Sequence, residues 1–309
     1  MGEYSKAAIL KYSRKSCGMT QEKLAENICD PVTLARYESG MLEPTDDKFE
    51  QLMQKMGMAG ERYVLMIHDE TIEHRMKNIL YAFERKEFDV AKEELEILKA
   101  DEKFDDTTPE NRQYVQRIEL NIAYRKGEID SDEMLSGLIE ALKITFPEYN
   151  EEHFHVYRIF TETEVLLINN IAAQYWDKGE QQLAIHLHEN MEEYYQLGVA
   201  INDYKPRYIC LLNYSNHLGL SGYYDKSIEI CERGIQWLNL NGKVNYLYNF
   251  YYNIGWNLMK KIEQRSLPDS MRNIAQYYIW QAMQLCDIFP ESKQSWEKIR
   301  NYYLSIKDE

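Results

Sequence analysis

Glycine and proline are scarce in this chain, 14 and 7 among 309 residues, too few to punctuate the many short strands of a sheet protein. Their scarcity favours long helices with short connections. No apolar run approaches the roughly 18 residues that would span a bilayer. The opening MGEYSKAAILKYSRKS lacks the long apolar centre of a signal peptide, and Glu3 and Tyr4 after Met-Gly argue against lipidation. A cytoplasmic protein with no membrane segment is expected. The five cysteines (Cys17, Cys29, Cys210, Cys231 and Cys286) are odd in number and scattered, with no CxxC pair. That argues against a disulfide framework or a zinc site, and buried free thiols are expected.

Enzyme signatures are missing too. The chain has no Gly-rich phosphate loop, no Gly-x-Ser-x-Gly and no HExxH. His153/His155 and His186/His188 are each two apart, so on a helix they point about 200° from one another and cannot hold one metal together. Glu162 and Glu164 fail as a catalytic carboxylate pair for the same reason. No catalysis, metal or cofactor is expected.

What the chain has is acid and periodicity. Its formal charge is -15, yet residues 1–60 carry eight basic side chains against nine acidic ones, so nearly all the excess lies beyond residue 60. A helix is expected from about Ser5 to Cys17, with Ala8, Ile9 and Tyr12 on one face. Thr20 caps a second helix carrying Leu24, Ala25 and Ile28. Asp30 caps a third, with Pro31 at its first position, where a missing N–H is harmless, and Gly40 ends it. Pro44 and Thr45-Asp46-Asp47 open a fourth helix that runs to Met56.

The segment TQEKLAENI, followed by TLARYESG and Pro44, resembles the helix-turn-helix of the lambda-repressor/Cro-like (XRE) class over about residues 5–58. The resemblance implies that the third helix enters the major groove of double-stranded DNA. Pro31, Val32, Thr33 and Arg36 would then face the bases, with Gln21 donating to a phosphate. Arg36 has the fork to chelate guanine O6 and N7; its other reading is a surface ion-pair partner. One departure stands out. Such domains often carry Lys or Arg after Gly40, whereas this chain reads MLEPTDD. Fewer phosphate grips imply weak binding by one copy, so a homodimer on a two-fold operator is expected.

Beyond residue 60 the sequence repeats. Segments beginning at Asn169, Leu212 and Tyr252 align, and weaker copies begin at Leu80 and Leu120. The run Gly222-Tyr223-Tyr224-Asp225-Lys226-Ser227-Ile228 resembles the turn and second-helix start of a tetratricopeptide (TPR) repeat. Five helix pairs are expected, stacked as a right-handed TPR-like α-solenoid, with a helix in residues 291–309 capping the last pair or joining two subunits. The fold expected is all-α: a helix-turn-helix domain over 1–60, a linker over 61–69 and the repeat domain over 70–309.

The repeat register places Asn170, Asn213 and Asn253 at one position of three successive first helices, with Asn169 beside them. One turn on lie Gln174, Asn216 with His217, and Asn257. A carboxamide ladder can donate to and accept from an extended peptide's backbone, and Tyr175, Tyr208, Tyr214 and Trp256 could form side-chain pockets. The same asparagines could instead bridge adjacent helices, and both readings stay open here.

A helix-turn-helix followed by five TPR-like pairs, with TQEKLAENIC and then Glu38–Gly40, resembles the peptide-pheromone-responsive (Rgg/PlcR/PrgX, or RNPP) regulators. That resemblance implies a dimeric bacterial transcription factor of quorum sensing, whose repeat domain binds a short signalling peptide that allosterically controls DNA binding. Two alternatives remain. The repeats could instead dock a protein partner, or the chain could be a scaffold or antitoxin-like protein with an autoregulatory helix-turn-helix.

Overall fold

A computed structural model describes residues 6–56, 70–154, 160–196, 204–289 and 293–307. Among them all regular structure is helical. The linker expected over 61–69 lies outside the described residues.

Four helices open the chain: α1 (Lys6–Ser16), α2 (Gln21–Ala25), α3 (Pro31–Glu38) and α4 (Asp46–Lys55). Their starts are written locally. Thr20 accepts from the Lys23 N–H at 3.2 Å, and Asp30 from the Val32 N–H at 2.8 Å. Each bond satisfies one of the donors that a helix start leaves orphaned. Asn27, at φ 63°, turns the chain between α2 and α3, and Gly40, at φ 74°, carries it out of α3. Ile9, Leu10, Leu24, Leu34, Phe49 and Leu52 are almost wholly buried, with α1 and α2 each packed on α3 and α4.

Helices then follow in twos: α5 (Glu70–Glu84) with α6 (Phe88–Lys99), α7 (Pro109–Lys126) with α8 (Ser131–Lys143), and α9 (Glu162–Asp177) with α10 (Gln181–Gln196). After these come α11 (Tyr204–Leu220) with α12 (Tyr224–Leu240), and α13 (Leu247–Glu263) with α14 (Arg272–Ile288). The turn inside each pair contains one left-handed residue: Lys86, Gly127, Gly179, Gly222 and Arg265 in order. Three are glycine, which alone adopts that conformation without a steric penalty. The last helix, α15 (Lys293–Lys307), packs on α14. Its Ile299 and Ile306 are buried with Met259 and Ile279, so it caps the last pair.

By packing, the chain divides into two compact units. One is Met1–Ile168 with Asn190–Asp203; the other is Asn169–Glu189 with Tyr204–Glu309. In the first, Ile79, Ala91, Leu95, Ile118 and Ile122 share a core. In the second, Leu211, Tyr214, Ile230, Cys231 and Phe250 do so. The small residues Ala91, Ala184, Ser227 and Gly234 are all buried. A Cβ built on Gly234 would lie 2.3 Å from the Phe250 ring, which is itself fully buried. Gly234→Ala should therefore cost about 2 kcal/mol by overpacking. Urea denaturation would read the loss, and Phe250→Leu in the same chain should recover part of it.

Candidate functional sites

The face of α3 expected to meet DNA stands open. Pro31, Val32 and Arg36 are exposed, Val32 to 62%, and Thr33 is half-buried. Behind that face lies a buried polar clamp. The Arg14 guanidinium grips Glu38 with two bonds, Nε to Oε1 at 2.6 Å and Nη2 to Oε2 at 2.9 Å, and donates through Nη1 to the Met19 carbonyl at 2.8 Å. Gln21 Nε2 donates to Glu38 Oε2 at 2.7 Å. One carboxylate at the end of α3 thus ties down the end of α1 and the start of α2. The Glu38 bond holds the Arg14 pKa above its ordinary value, against burial. Gln21 spends one amide hydrogen on the clamp, and its second hydrogen is the one a phosphate could take.

Half of the basic groups in this region are committed internally. Arg14 holds Glu38, and Lys6 reaches Asp46 at 2.6 Å. Lys48 donates to the Ile28 carbonyl at 2.7 Å and Lys55 to the Glu26 carbonyl at 2.6 Å, so α4 braces the turn between α2 and α3. Lys11, Lys15, Lys23 and Arg36 are exposed and have no ion pair or side-chain hydrogen bond among the described residues.

The carboxamides of the repeat region do meet across helices, in a different register from the one the repeats suggest. Asn213 Nδ2 on α11 donates to Asn169 Oδ1 on α9 at 3.0 Å, 44 residues away, so Asn213 pairs with Asn169 rather than Asn170. Asn253 Nδ2 on α13 donates to Asn216 Oδ1 on α11 at 2.7 Å, 37 residues away, and to Ser215 Oγ at 3.1 Å. Asn257 Nδ2 donates to Ser227 Oγ on α12 at 2.9 Å. The spacing between bridging partners is thus 44 residues in one place and 37 in the next, which a fixed repeat length does not capture. Asn169, Gln174, Asn253 and Asn257 are buried, whereas Asn170, Asn213 and Asn216 are half-buried. Asn169, Asn213, Asn216, Asn253 and Asn257 all bridge neighbouring helices. Of the aromatics expected to form pockets, Tyr175, Tyr208 and Tyr214 are buried in the core; Trp256 is half-buried.

A histidine cluster in the same unit has no counterpart in the sequence reading. The His217 ring stacks on Trp176 at 4.2 Å and 4°, and His188 lies 5.0 Å from His217. Both His188 nitrogens and His217 Nδ1 are enclosed without a hydrogen-bond partner among the described residues. Burial brings the His217 pKa down to about 4 and holds that of His188 well below its ordinary value. Of the cysteines, Cys210, Cys231 and Cys286 are buried as expected, while Cys17 is exposed and Cys29 partly so. Among the described residues no helix is long and apolar enough to cross a membrane.

Residues 10–60 match the helix-turn-helix family model HTH_3. No curated protein sequence matches the chain. Solved structures match it over nearly its whole length. PlcR of Bacillus thuringiensis, in complex with the peptide PapR7 and DNA, is 19% identical with TM-score 0.57, covering 99% of this chain and 100% of that one. Its apo form gives 19% and 0.59, covering 95% and 98%. ComR from S. thermophilus, in complex with DNA and its signalling peptide ComS, gives 13% and 0.53, covering 98% and 100%. The chain thus carries an XRE-type helix-turn-helix at residues 10–60, a DNA-binding domain, followed by an all-helical repeat array, and shares its fold with PlcR and ComR.

Proposed function

We propose that this chain is a cytoplasmic transcriptional regulator that reads a two-fold operator as a homodimer, under the control of a short signalling peptide bound by its repeats. The observation that carries the reading is the exposed, unpaired Arg36 beside Val32 on α3. In the same chain is a fold that matches proteins solved with both peptide and DNA. Arg36 reads a guanine edge and Val32 packs on a thymine methyl; the other three uncommitted cations, Lys11, Lys15 and Lys23, make the phosphate contacts. A single reading head with so few phosphate contacts binds weakly, which supports the paired arrangement.

The peptide contacts fall to the half-buried Asn170, Asn213 and Asn216, the last two steadied by their bonds to Asn169 and Asn253. Peptide binding shifts DNA affinity only by its differential affinity for two states of the dimer. The test is DNA binding to the upstream region of the gene, with and without synthetic peptides from any short reading frame beside it. Asn213→Ala should abolish the peptide response and leave basal DNA binding intact; unchanged peptide affinity would remove Asn213 from the site. Arg36→Ala should lose about 2 kcal/mol of discrimination at one base pair, measured by competition between operator and point-mutated operator, with the circular dichroism spectrum unchanged.

A further inference from the structure

Arg117 lies on α7 in the second helix pair, with 8% of its surface exposed. Its Nε is fully enclosed without a partner, and its guanidinium makes no ion pair or hydrogen bond among the described residues. Its close neighbour is Tyr114, one turn earlier and 7% exposed, whose ring centroid is 5.9 Å from the guanidinium carbon. The Tyr114 hydroxyl likewise makes no hydrogen bond among the described residues. The adjacent Gln113 finds partners for its nitrogen alone: Nε2 donates to the Ala141 carbonyl at 3.0 Å and to Thr145 Oγ1 at 2.6 Å, while Oε1 is enclosed without one among the described residues.

A guanidinium largely withdrawn from water, with Nε enclosed and no anion in contact, is an unfavourable arrangement. Burial pulls the Arg117 pKa down and pushes that of Tyr114 up, and Glu162 attracts the guanidinium only from beyond ion-pair distance. We infer that Tyr114 and Arg117 form a binding site for the carboxylate of a ligand. Arg117 supplies a planar fork of donors and Tyr114 a phenolic O–H from the same helix face. A carboxylate has two in-plane oxygens and a single charge, which matches one fork and one cation; a phosphate dianion would call for more positive charge. The residual exposure of both side chains gives a small acid its entry. The carboxylate could belong to a free organic acid or to the C-terminus of a peptide, and the site itself stands independently of the peptide reading.

The test uses thermal unfolding of the full-length protein with matched acid and amide probes. One arm compares sodium benzoate with benzamide; the other compares N-acetyl-Leu-Phe with its C-terminal amide, all at constant ionic strength. The acids should raise the melting temperature and the amides should not. If the dipeptide acid acts at a tenfold lower concentration than benzoate, the source is a peptide C-terminus; if it acts no better, a small acid. Arg117→Met should be more stable than the parent protein without ligand and should lose the acid response. Tyr114→Phe keeps shape and charge, and should weaken the response about tenfold. Three outcomes would overturn the assignment. Amides could match acids, no probe could act, or Arg117→Met could lose stability, meaning that the guanidinium is already compensated within the fold.

Discussion

Glu38→Ala should unfold the reading head. The substitution leaves Arg14, whose side chain is 12% exposed, without the carboxylate it grips through two bonds. It also frees the Gln21 amide. Removing one partner of a buried ion pair costs about 3 to 5 kcal/mol, and a domain of this size has little more than that in total. Specific DNA binding should vanish, while the repeat region keeps most of the helical circular dichroism signal. Glu38→Gln should fall between, since it can still accept from one donor. Parent-like DNA binding by Glu38→Ala would show that the clamp contributes little.

Acid should loosen the second unit before ordinary carboxylate titration accounts for it. An unfolded chain protonates His217 near its ordinary pKa of 6.5, whereas the folded chain refuses the proton until about 4. Between these values the unfolded state binds more protons. The stability that neutral His217 contributes is therefore complete above pH 6.5 and is lost as the pH falls toward 4. The loss is on the order of 3 kcal/mol, and His188, also held neutral by burial, acts in the same direction. His217→Phe keeps a flat ring against Trp176 and cannot titrate. The difference in urea midpoint between pH 7 and pH 4.5 should shrink in this variant. An identical pH dependence in parent and variant would exclude His217 as the cause.

The helices were legible because their signals are local. Asp30-Pro31 starts α3, and the Gly222–Ile228 run marks a turn and the start of α12, whatever the rest of the chain does. The outward residues of α3 were those that the resemblance to the XRE class implies. What sequence could not supply were contacts set by the sliding of one helix on another. Asn169 and Asn170 point about 100° apart on a helix, so a register error of one residue exchanges the bridging side chain for its neighbour. In sequence His188 stands beside His186 and His217 beside Asn216, while their actual partnership joins α10 to α11. Arg117 is one basic residue among many in the sequence; only the packing around it leaves it without a counter-ion.

The left-handed turn residues bear on how the array comes apart. Gly127, Gly179 and Gly222 hold this geometry without strain, but Lys86 and Arg265, in the first and last pairs, carry side chains there, at about 1 to 2 kcal/mol each. In a stack of repeats such local strain is not shared out along the chain, because each pair feels mainly its neighbours. That strain therefore weighs on the first and last pairs and is absent from the three glycine-turned pairs between them.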